Sequence, residues 1–113
     1  LMIDAVTTRG AEVAAAGESL GNALSIISNI NIVKKALEEI KLGNEAAARA
    51  LFESILQRDP QYIGSYYHLG KLLERQGDET AAIEVFERGM EVAKKLGDQH
   101  ALNELRGAYD NLI

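Results

Sequence analysis

Apolar residues recur at spacings of three and four along most of the chain, and three breaks in that rhythm fall at a glycine followed by Asn or Asp: Gly43-Asn44, Gly77-Asp78 and Gly97-Asp98. Ahead of the first break, Ala23, Ile26, Ile30, Val33, Leu37 and Ile40 form a heptad-like stripe that predicts one long helix over about 19–42. Asn29-Ile30-Asn31-Ile32 also alternates with period two, a strand-like feature, but its flanks are helical. After the last break, Ala101, Leu102, Leu105, Ala108, Tyr109 and Leu112 share one helical face, opposite Gln99, Asn103, Arg106 and Asp110. Near the start, Val13, Ala16, Leu20 and Leu24 keep helical spacing but are interrupted by Gly17 and Gly21, which predicts two short helices or one bent helix.

Shifting the chain by 34 residues aligns Gly43–Glu53 with Gly77–Glu87, and six of the eleven pairs are identical. The matches have physical roles. A glycine can close a helix in the left-handed conformation, Asn or Asp can cap the next one, and Phe stands four residues after a small Ala on the same face. A helix–turn–helix unit with this period resembles the tetratricopeptide repeat. The segment Asp59–Met90 carries the resemblance: Asp59-Pro60 at a unit boundary, Tyr66 where the family usually has Trp, Leu69-Gly70, Leu73 in place of Tyr, then Gly77-Asp78, Ala82 and Phe86. Gly89 departs from the usual Ala, and Lys94 stands where a second Pro is usual, so the helix is expected to run on to Leu96, with Gly97 ending it and Asp98 capping the next.

The resemblance implies an all-α fold, a right-handed stack of antiparallel helix pairs with a capping helix. On this reading residues 1–28 are an N-terminal helical segment packing on or extending the repeats, 29–96 are two repeats, and 97–113 are the cap. The first repeat is irregular. Val33, Ala36, Leu37 and Ile40 lie one residue closer to Gly43 than Tyr66, Leu69, Gly70 and Leu73 lie to Gly77, so either the turn is a residue shorter or the helix is rotated by about 100°. Two repeats and a cap make a short stack, and something is expected to cover the apolar end of the first one. The N-terminal segment folding back, or a homodimer through the stripe of Ile26, Ile30, Val33 and Leu37, would do so.

Charge sharpens the division. Residues 1–33 hold only Asp4, Arg9, Glu12 and Glu18, whereas 34–113 hold eleven basic and fourteen acidic side chains. That boundary keeps open a second reading, an engineered or chimeric helical-repeat assembly with no natural ligand. The formal charge of −5 disfavours nucleic acid and anionic membrane as partners, and no apolar run approaches the ~18–20 residues of a membrane span. The chain begins at Leu1, as a fragment, a processed chain or the remainder of a tagged protein would. A cytoplasmic protein is the expectation.

Catalytic chemistry is poorly supplied. There is no cysteine, and neither His68 nor His100 has a second ligating side chain at helical spacing, so no metal or cofactor is expected. Glu38-Glu39 and Asp78-Glu79 read as a solvated face and a helix start. A non-enzymatic module that binds a protein or peptide fits better. In the second repeat Tyr67, Lys71, Glu74 and Arg75 are the first-helix residues left free by the seam, and the resemblance implies that this side is concave and binds partners. A plain solvated face would carry the same residue types. Lys71 alone does not reproduce the basic carboxylate clamp of relatives that bind chaperone tails.

Overall fold

The computed structural model describes residues 27–113. The chain divides into two compact units, Leu1–Asn31 and Ile32–Ile113, close to the change in composition near residue 33. Of the first unit, residues 27–31 are described. They are helical, with Asn29 buried and Ile27 and Ile30 exposed. Ile26, the glycine pair and the rest of the segment before residue 27 lie outside the described residues.

Among the described residues the structure is all-α. Helix α1 covers 27–41, and its residues from Ile32 onward belong to the second unit. It is followed by α2 (Glu45–Arg58), α3 (Gly64–Arg75), α4 (Glu79–Leu96) and α5 (Gln99–Asp110). Helix α3 packs against both α2 and α4, and α5 closes over α4 and α3.

Local sequence sets the helix ends. Gly43, Gly77 and Gly97 adopt φ of 85°, 83° and 69°, and a Cβ at any of them would meet open space, so it is backbone conformation that calls for glycine there. The α1 and α3 turns are the same structure 34 residues apart. Gly43 N–H donates to Ile40 O at 3.0 Å and Asn44 N–H to Glu39 O at 2.8 Å, as Gly77 does to Glu74 and Asp78 to Leu73 at 3.0 and 2.9 Å. The next helix start is capped differently in the two repeats. Asp78 and Asp98 accept from the amides of Ala81 and Ala101 at 3.2 and 3.0 Å. Asn44 makes no such bond, because its side-chain amide donates to the Glu39 carboxylate at 2.8 Å. Asp78→Ala is therefore expected to cost about 1 kcal/mol in thermal or urea unfolding, and Asn44→Ala clearly less.

The identical turns decide between the two alternatives for the irregular first repeat: the turn is not shorter, and it is the apolar face of the helix that is rotated. Backbone register is kept at 34, so Ala36 takes the place of Gly70, both are buried, and the α1 apolar set sits one position round its helix. The α1 residues equivalent to the buried Leu69, Leu72 and Leu73 are Lys35, Glu38 and Glu39. Lys35 and Glu38 are exposed and Glu39 is half-buried. These three positions of α1 are thus polar where α3 has leucines.

The core of the second unit interlocks large and small residues. Phe52 and Phe86, 34 apart, are both fully buried. Phe86 lies over Gly70, where a Cβ would stand 2.2 Å from the ring, and Gly89 faces Tyr66 and Leu105. Glycine rather than alanine at 89 has this close approach as its cause. The Tyr66 hydroxyl donates to the Pro60 carbonyl, tying α3 to the turn that precedes it.

Candidate functional site

Tyr67, Lys71, Glu74 and Arg75 lie along α3, the first three at i, i+4 and i+7 on one helical line. Tyr67, Lys71 and Glu74 are half-buried and Arg75 is exposed. Their charges are engaged. The Lys71 ammonium stands 3.1 Å from the Glu74 carboxylate, and Arg75 reaches back to Glu45 at the start of α2 at 2.7 Å. Arg75 therefore leans toward the preceding helix and bridges the two repeats. The line presents an aromatic ring and a neutralised ion pair instead of a free charge.

Sequence reasoning treats Val33 and Leu37 as a separate, self-associating stripe. With the backbone register held at 34, Val33, Leu37 and Ile40 are the repeat equivalents of Tyr67, Lys71 and Glu74. All three are half-buried and pack against the core of the second unit. Of the other two stripe residues, Ile30 is an exposed residue of the first unit and Ile26 lies outside the described residues. The equivalence was available in the sequence as equal distances, Ile40 to Gly43 and Glu74 to Gly77, but aligning apolar with apolar residues hides it.

Next to Tyr67, His68 joins the two repeats through its ring. The imidazole stacks on Phe52 of α2 with centroids 5.7 Å apart and planes 13° from parallel, and Tyr67 meets it edge-on at 5.9 Å. Burial pushes the His68 pKa below the ordinary histidine value, and the Glu104 carboxylate on α5 partly offsets this. A histidine whose folded pKa is depressed contributes stability that is full above its unfolded pKa of about 6.5 and is lost as pH falls below it. Urea midpoints are expected to drop between pH 7 and pH 5, and to drop less in His68→Phe, which keeps the stack and removes the titration. Equal drops in both proteins would show that other groups cause the loss.

Burial raises the Tyr66 phenol above its ordinary value, with Arg88 opposing and Asp59 reinforcing the shift, so its hydroxyl remains a donor to Pro60 at neutral pH. His100 pairs instead with Glu104 on its own helix at 3.4 Å. Among the described residues no three side chains converge as metal ligands, and no helix is long and apolar enough to cross a membrane.

A tetratricopeptide repeat model matches residues 39–107. In a crystal structure, a tetratricopeptide repeat domain protein from Salinibacter ruber is 40% identical, with TM-score 0.70 over 74% of this chain and 93% of that one. A solution NMR structure of a tetratricopeptide repeat domain protein from the same organism is also 40% identical, with TM-score 0.72 over 74% of this chain and 85% of that one. No curated protein matches the chain significantly. The glycine-closed helix pairs, the 34-residue register, the buried Phe pair and these likenesses agree: the chain belongs to the tetratricopeptide repeat family.

Proposed function

We propose that this chain is a non-enzymatic interaction module that binds a peptide or protein segment across the first helices of its two repeats. The observation that carries the reading is the equivalence of Val33, Leu37 and Ile40 with Tyr67, Lys71 and Glu74, which gives one face an aliphatic half and an aromatic, ion-paired half. A segment with an apolar side chain over the aliphatic half and polar groups over the other would complement it. Tyr67 is the anchor, because a half-buried aromatic ring held edge-on to His68 is already ordered and loses little freedom on binding.

The test is affinity capture from a cell extract with the intact chain and a Tyr67→Ala/Lys71→Ala variant, followed by titration of each captured partner. Partner affinity is expected to fall at least about tenfold in the variant, the range of an aromatic anchor. Equal affinities for both proteins, with unchanged circular dichroism, would reject this face.

A further inference from the structure

A second groove lies on another side of the repeats, between α2 and α4. Leu69 and Leu73 of α3, with Ala81 and Val85 of α4, form its floor. Arg49 and Glu53 of α2 form one wall, and Glu84, Glu87, Arg88 and Glu91 of α4 form the other. The groove continues along α2 past Leu56 and Gln57, again over Leu69 and beside Arg88. Arg49 is taken up by Glu53 at 2.7 Å, whereas on the α4 wall neither Arg88 nor Glu84, Glu87 and Glu91 has an ion-pair partner among the described residues, so carboxylates outnumber the one cation there. These three carboxylates are spaced i, i+3 and i+7, so they line one edge over roughly 10 Å at 1.5 Å per residue.

The first repeat contains the same groove as an internal comparison. Lys35, Glu39, Ala47, Ala50, Leu51 and Ser54 line it, and each stands 34 residues before a residue lining the second: Leu69, Leu73, Ala81, Glu84, Val85 and Arg88. The hollow follows from the backbone, and its chemistry does not. In the first groove a lysine and a glutamate replace the floor leucines, and an alanine stands where Glu84 does. Of these two grooves, the second is the one with an apolar floor under an acidic edge.

We propose that this second groove docks a basic segment of a partner protein, with an aliphatic side chain over Ala81 and the narrow exposed edges of Leu69, Leu73 and Val85, and Lys or Arg against Glu84, Glu87 and Glu91. Complementary charge selects the occupant: at −5 overall, the chain attracts cations in general, and this edge concentrates carboxylates that its own arginines leave unpaired.

A fluorescein-labelled peptide alternating Leu and Lys is the probe, read by fluorescence anisotropy at about 0.15 M salt, where exposed charges are screened beyond ~8 Å. Glu84→Gln/Glu87→Gln/Glu91→Gln is expected to weaken its binding by about tenfold or more. Glu38→Gln/Glu79→Gln/Asp110→Asn removes the same charge elsewhere and is expected to leave binding within about twofold. A peptide with Ser for Leu is expected to bind the wild type weakly. Equal losses in the two triple variants would reduce the effect to general charge attraction and overturn the proposal, as would no binding to the wild type. Sedimentation that finds self-association abolished by the groove variant would assign the groove to a second copy and overturn it as well. Tyr67→Ala/Lys71→Ala is expected to bind the probe normally, so the groove and the α1/α3 face fail or succeed separately.

Discussion

Phe86→Ala is expected to cost about 3–5 kcal/mol in urea unfolding at neutral pH, the range for truncating a fully buried aromatic. Phe86 is 0% exposed and its ring covers Gly70 at a distance that leaves no room for a single added carbon. Collapse around the deleted ring is therefore limited to what α3 and α4 can move toward each other, and much of the volume remains as a cavity. Small domains have about 5–15 kcal/mol of stability in total, so this one change removes a large part of it. Phe52→Ala is expected to be of similar size, since its ring is equally buried, and it also strips one face from His68. If Phe86→Ala unfolded with a midpoint near that of the wild type, the α3–α4 seam would not be the centre of the fold.

Gly89→Ala is expected to destabilise by about 1–3 kcal/mol, against the direction of helix propensity. Propensity alone favours alanine in a helix interior by ~1 kcal/mol. The added Cβ would stand 2.7 Å from the Tyr66 Cβ and 3.0 Å from the Leu105 Cδ1. The first of these atoms is attached to the α3 backbone and cannot swing aside, so α3 and α4 must separate. Gly70→Ala carries the same penalty for a different reason: the Phe86 ring over it is fully buried and has nowhere to go. Gly107 in α5 provides the contrast. A Cβ there meets nothing within 4 Å, so Gly107→Ala is expected to stabilise by up to ~1 kcal/mol. Thermal melts of the three alanine variants would check the order. A stabilised Gly89→Ala would show that the helices yield more easily than their packing suggests.

Much of the fold was legible because the features that set helix limits are local. Gly77 with Asp78 and Gly97 with Asp98 each act within a turn of the chain, and the predicted ending of α4 at Leu96 matches the structure. Asn44 failed as a cap although it is the right residue type, because Glu39 competes for its side chain across the turn. The candidate face was half legible. Tyr67, Lys71 and Glu74 could be selected by their place in a regular repeat, but Arg75 was engaged by Glu45, thirty residues away. That Val33 and Leu37 are the repeat equivalents of Tyr67 and Lys71 and pack partly against their own core was not legible, because an apolar stripe looks the same in sequence whether it meets a second chain or its own core.

By itself the sequence determined the 34-residue period, the helix limits at Gly43, Gly77 and Gly97, the family and the change of character near residue 33. Each rests on interactions between residues a few positions apart or on direct comparison of two stretches of chain. Tertiary structure alone decided which way the first repeat faces, why Gly89 cannot be alanine, and which charges remain unpaired along α4. Those depend on distances between helices, and Tyr66 against Gly89, or Leu69 in one groove with Arg49 and Arg88, becomes visible only once the helices are packed.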